Sequence, residues 1–261
     1  VQEEQLRGFL SFLSTLDYTL TPPLIARYTQ AKMRELLGQA DLYAEDKRLQ
    51  NHAMLEIEPV LREKINSAPD PLLAAVHLAI SGNVIDLGTK HGLGIDKTIN
   101  EALGRVPAID HIKPMLDRLR AAANVLYLAD NAGEIVIDKL LIEQLMKRNV
   151  LAREQITVAV RGGPVLNDVT MADLGEIGIT EMVRVIDNGD NTPGTWLADT
   201  NETFQQAWRQ AEVIVSKGQG NFETLSHLGD NRIFFLLIAK CQIVAEEMGV
   251  KLGDFVCINK N

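Results

Sequence analysis

The chain has 261 residues, enough for one large domain or two smaller ones with a substantial core. A net charge of −9 argues against non-specific nucleic-acid binding, which needs a basic face. No apolar run approaches the ~18 residues that span a bilayer. The two cysteines, Cys241 and Cys257, are too few for a disulfide framework and lack zinc-ligand spacing, so they read as buried thiols. Val1 to Arg7 are polar with adjacent glutamates, which does not read as a signal peptide. A cytoplasmic location is therefore expected, in a chain whose missing initiator Met suggests processed or trimmed ends.

Helical signals dominate as far as about residue 120. Thr21-Pro22 places a cap before a proline at the first helical position, and Gly38 is the expected stop. Leu49, Ala53, Ile57, Leu61 and Ile65 fall on one helical face, with Pro59 expected to kink or end that helix. Asp70-Pro71 opens another helix, closed by Ser81-Gly82-Asn83, and a last one is expected from Ile109 to Ala123.

Beyond residue 120 strands and helices alternate. Val125–Ala129, Ile156–Val160, Met182–Ile186, Val213–Ser216, Ile233–Ile238 and Phe255–Ile258 read as short apolar strands. Glu134–Arg148, Asn201–Ala211 and Lys240–Met248 read as helices. Near-continuous Val, Ile and Leu implies a parallel sheet covered on both faces. The expected fold is α/β: a helical N-terminal subdomain (1–120) packed on a doubly wound, mostly parallel sheet (121–261), a Rossmann-like three-layer core. The irregular stretch from Asn188 to Ala198 is a candidate lid.

Four strands end in polar turns: Asp130-Asn-Ala-Gly-Glu134, Arg161-Gly-Gly-Pro164, Asp187-Asn-Gly-Asp190 and Lys217-Gly-Gln-Gly-Asn221. Each alone reads as an ordinary loop, but parallel strands put their carboxyl ends on one edge, where ligands bind. Asp130 and Asn131 pair a carboxylate with an amide at a strand exit, oxygen donors suited to a hard divalent cation. The helix that follows points unpaired N–H groups at the same spot and suits an anion. Asp168 is either a second carboxylate or a helix cap. Glu134 is either part of the site or a complement to the helix dipole. Lys217 is placed to neutralise a phosphate, with Gly218 and Gly220 allowing close backbone approach. Asn83 and Asp86 cap helices or form a substrate wall. Neither a P-loop nor a dinucleotide fingerprint is present.

At these residues the chain resembles the metal-dependent damage-control phosphatases, long filed as a domain of unknown function, and most closely their compact stand-alone prokaryotic members. Ser81-Gly-Asn-Val-Ile-Asp86, Asp130-Asn-Ala-Gly-Glu134, Arg161-Gly-Gly-Pro-Val-Leu-Asn-Asp168 and Lys217-Gly-Gln-Gly-Asn-Phe-Glu223 match that family's motifs in order. The resemblance implies hydrolysis of small phosphometabolites, such as sugar phosphates, with a divalent metal: Mg²⁺ or Mn²⁺, with Co²⁺ or Ni²⁺ as further candidates. It implies Asp130, Asn131 and Asp168 as metal ligands. Lys217, Arg161 and Asn221 would bind phosphate oxygens. Asp130, Glu134 and Lys217 are the candidate catalytic residues, and Asn83, Asp86, Arg161, Asp187, Gly218, Gly220 and Asn221 the candidate substrate contacts. Rival expectations are a carboxyl methyltransferase using S-adenosylmethionine, disfavoured because no glycine-rich turn follows the first strand, and a non-catalytic phosphosugar sensor.

Overall fold

The computed structural model describes residues 2–82 and 99–260. Asn83 and Asp86 lie outside the described residues. The chain opens with helices α1 (Gln2–Thr15), α2 (Pro22–Leu37), α3 (Ala44–Ser67) and α4 (Pro71–Ser81). Gly38 ends α2 in the left-handed conformation (φ 65°), and the Asp70 carboxylate caps α4 by accepting from the N–H groups of Leu72 and Leu73. α3 continues through Pro59 as one helix, so of the expected kink or boundary no boundary falls there. Pro59 is on the exposed face, where water can satisfy the carbonyl left without a donor.

A two-residue strand, β1 (Ile109–Asp110), precedes α5 (Ile112–Ala121), so the expected helix starts later than Ile109. Then follow β2 (Val125–Leu128), α6 (Glu134–Lys147), β3 (Ile156–Val160), β4 (Arg184–Asp187), α7 (Glu202–Gln210), β5 (Val213–Lys217), α8 (Gly218–Leu225), β6 (Ile233–Ile238), α9 (Gln242–Met248) and β7 (Phe255–Ile258). The expected strand at Met182 begins two residues later, because Ile179–Met182 forms a helical turn.

The strands form one sheet in the order β1-β7-β6-β5-β2-β3-β4. Every pairing is parallel except β6 with β7. Strand alternation divides the core. Val125, Tyr127, Ala129, Val213 and Val215 face one side, with residues of α3, α4, α5 and α6. Leu126, Leu128 and Ile214 face the other, against Phe204 and Trp208 of α7, Phe222 and Leu225 of α8 and Val244 of α9. Full burial of such a side chain contributes about 1.5–3 kcal/mol, so both layers are strongly held to the sheet. Among the described residues no helix is long and apolar enough to cross a membrane.

Candidate active site

β2 and β5 are neighbours where the strand order reverses, with β3 and β4 on one side and β6 and β7 on the other. Crevices at the carboxyl ends of such strands are the usual ligand sites of open α/β sheets. Asp130 and Asn131 leave β2 at this point, and Lys217 is the last residue of β5.

Asp168 reaches the same place through a local reversal of the chain. Leu166 adopts a positive φ of 45°, and the returning segment pairs with the exit of β2. The Ala132 N–H donates to the Asn167 carbonyl (2.9 Å), and the Val169 N–H to the Asp130 carbonyl (2.9 Å). An antiparallel bridge thereby sets Asn131 opposite Asp168. The cap alternative for Asp168 falls away, because Thr170 holds the N-cap position of the next helical turn. The Asp168 carboxylate instead accepts from Arg161 Nε at 2.7 Å. Arg161 Nη2 lies 3.8 Å from Asp130 Oδ1, is buried and has no hydrogen-bond partner among the described residues.

Several expected roles are corrected by these contacts. Lys217 does not face an open crevice: it is fully buried, with Nζ 2.6 Å from Glu134 Oε1 and 2.6 Å from Asp138 Oδ1. No loop follows it, since α8 starts at Gly218. Gly218 is required for packing within the chain. Its φ is +79°, and a Cβ there would fall 1.9 Å from Asp130 Oδ2. Gly220 packs on the 193–194 backbone, where a Cβ would meet the Pro193 carbonyl oxygen at 3.0 Å. Asn221 uses its amide to donate to the carbonyls of Lys217 (2.8 Å) and Ala129 (3.3 Å), and accepts from the Thr195 hydroxyl (2.8 Å). It ties the ends of β2 and β5 together. Asp187 Oδ1 accepts from the Gly189 N–H and from Asn201 Nδ2, each at 2.9 Å, a turn and an anchor for α7. The 188–198 stretch is not an exposed lid either, because Thr192 to Thr195 are buried and the Thr195 N–H donates to Thr224 Oγ1.

Asp138 was not singled out from the sequence. Its signal is the Glu134-x-x-x-Asp138 spacing, which stacks two carboxylates on one face of α6. Tyr127, on the strand beside it, donates its hydroxyl to Asp138 Oδ1 at 2.7 Å. Among the described residues the buried cluster thus holds four carboxylates (Asp130, Glu134, Asp138, Asp168) and two cations (Arg161, Lys217). Burial, then the charges of Asp168 and Glu134, push the Asp130 carboxyl up to about 8. Burial also pushes Asp138 up to about 6, even beside Lys217. Asp168 is raised by burial against the pull of Arg161. For Lys217, burial alone would lower the pKa, but the two carboxylates hold it above the ordinary lysine value.

Among the described residues, no group of three or more His, Cys, Asp or Glu side chains is arranged to hold a metal ion. The candidate set is instead two carboxylates with an amide, buried side by side and offering the oxygen donors that a hard cation takes.

The Damage-control phosphatase ARMT1-like domain matches residues 2–256. The chain is 34% identical over 228 residues to a damage-control phosphatase of Pyrococcus horikoshii, covering 87% of this chain and 77% of that protein. It is 31% identical over 240 residues to a damage-control phosphatase of Archaeoglobus fulgidus, covering 89% and 80%. The crystal structure of a DUF89 family protein from Pyrococcus horikoshii is similar with a TM-score of 0.90 and 31% identity, covering 99% of this chain and 90% of that one. The chain belongs to the damage-control phosphatase ARMT1-like family, as its motifs indicated. Membership supports a phosphatase role.

Proposed function

We propose that the protein is a divalent-metal-dependent phosphomonoester hydrolase of small phosphometabolites, with sugar phosphates the first class to try. The observation that carries this is the pair Asp130 and Asp168, buried together at the switch point, with Asn131 set opposite Asp168. Asp130, Asn131 and Asp168 would hold Mg²⁺ or Mn²⁺, which supplies Lewis-acid polarisation of a phosphoryl oxygen. Arg161 fixes the Asp168 carboxylate through Nε and keeps Nη2 for a phosphoryl oxygen. A guanidinium already held by one carboxylate needs little reorganisation as charge develops on the substrate.

The test is phosphate release from a panel of phosphate esters, using protein stripped with a chelator and then given Mg²⁺, Mn²⁺, Co²⁺ or Ni²⁺. Release only after a cation is restored is expected, and release indifferent to the chelator would overturn the metal requirement. Methyl transfer from S-adenosylmethionine with no phosphate release would replace the proposal altogether.

The raised Asp130 carboxyl adds a pH dependence. Below about 8 this group holds a proton that a cation must displace, so metal binding releases protons and weakens as pH falls. Mn²⁺ affinity measured by titration calorimetry should drop roughly tenfold for each pH unit below 8, the slope for one displaced proton. In buffers of different ionisation enthalpy the apparent heat should change accordingly. An affinity flat between pH 6 and 8 would show that no such proton is displaced.

A further inference from the structure

Lys217 sits in the middle of a continuous run of hydrogen bonds that starts in the core and ends at the proposed metal ligands. The Tyr127 hydroxyl donates to Asp138 Oδ1 at 2.7 Å, and Lys217 Nζ donates to that same oxygen and to Glu134 Oε1, each at 2.6 Å. The other Glu134 oxygen, Oε2, accepts from Asn131 Nδ2 at 3.4 Å, and Asn131 Nδ2 also donates to Asp130 Oδ2 at 2.6 Å. Every member is buried. The supports are rigid: Tyr127 is on β2, Lys217 on β5, and Glu134 and Asp138 are one turn apart on α6.

The end of this run is an amide, whose two ends are nearly equal in shape but opposite in chemistry. Its nitrogen has two hydrogens, and the run supplies a carboxylate oxygen for each. With the group reversed, Asn131 Oδ1 would lie against the carboxylate oxygens of Asp130 and Glu134, and a cation would meet N–H groups. Amide orientation therefore decides whether Asn131 can be a ligand at all. Supporting groups that orient ligands in this way commonly change metal affinity by ~10–100-fold.

We infer that Lys217 and Asp138 are positioning residues: acting through Glu134, they hold the Asn131 amide with its nitrogen toward the carboxylates and its oxygen toward the cation. This assigns Lys217 a task other than contact with phosphate, and it rests on the metal reading of Asp130, Asn131 and Asp168. Glu134 is the critical link, because it must accept from Lys217 with one oxygen and from Asn131 with the other. Glutamine has the same shape but only one acceptor oxygen, so Glu134→Gln cannot do both.

The test compares Mn²⁺ affinity by calorimetry in wild type, Asp130→Ala, Glu134→Gln and Asp138→Asn, with melting curves to establish that each is folded at the measuring temperature. A folded Glu134→Gln binding Mn²⁺ about tenfold or more weakly is expected. Should Glu134→Gln not fold, Asp138→Asn decides, with a loss of roughly tenfold expected. A residue that only supports the fold would lower the melting temperature and leave the affinity alone. Wild-type affinity in folded variants, with binding lost in Asp130→Ala, would overturn the positioning role and spare the metal site. No Mn²⁺ binding by the wild type would remove both.

Discussion

Asp130→Ala is expected to lose tight Mn²⁺ binding and to release phosphate about 10³-fold more slowly than wild type. A bound cation stabilises charge on the transferring group by several kcal/mol, and about 4 kcal/mol corresponds to a factor of about 10³. The same substitution should leave the melting temperature unchanged or raise it. Burial and two neighbouring carboxylates oppose ionisation of Asp130, so the folded chain gains little from having it there. Loss of function with no loss of stability separates a site residue from a structural one. Unchanged Mn²⁺ affinity and turnover would mean that the cation site is elsewhere.

Lys217→Ala should behave in the opposite way and destabilise the whole chain. The substitution leaves Glu134 and Asp138 buried without the cation that both of them touch. Breaking a buried ion pair from one side costs about 3–5 kcal/mol. For a chain of this length that is a drop of roughly 10 °C in melting temperature. The deficit should shrink from pH 8 to pH 5, since carboxylates that take up protons no longer need a cation, and Asp138 already protonates near 6 with Lys217 in place. Melting curves of both proteins at the two pH values are the measurement. An inactive Lys217→Ala that melts like wild type at pH 8 would place the ammonium in the cleft, as a strand-end lysine first suggests.

Much of the fold was legible in the sequence because its signals are local. Val, Ile and Leu alternating with amphipathic stretches mark buried strands and their covering helices, and Asp130-Asn131 interrupts an apolar strand where no packing reason calls for it. Convergence of the turns followed from topology, since parallel strands end on one edge. What escaped depends on direction. Lys217 has the same parity as Val213 and Val215, so as the fifth residue of β5 its side chain points to the layer that contains α6. Treating it as the start of a loop concealed that, and concealed Asp138 as well. Gly218, Gly220 and Asn221 look like ligand-binding residues in a one-dimensional sequence. Their neighbours are Asp130, the 193–194 backbone and two strand ends, all distant along the chain. The antiparallel β7 gave no signal either, because four apolar residues read the same in both directions.

The placing of α2 has a further consequence. Arg27 pairs with Asp190 and Asp199 of one loop, while Arg34 Nη1 donates to the Pro164 carbonyl of another at 2.6 Å. The two arginines are seven residues apart, which is nearly two full turns, so a single stripe of the helix spans both loops. The interval between them is therefore a spacing rule as well as a pair of contacts. Deleting one residue between Tyr28 and Met33 rotates one guanidinium about 100° around the axis relative to the other, and the helix can then follow only one of its two loops. Length in this segment is therefore constrained as well as composition, since Gln30 between the arginines is itself buried.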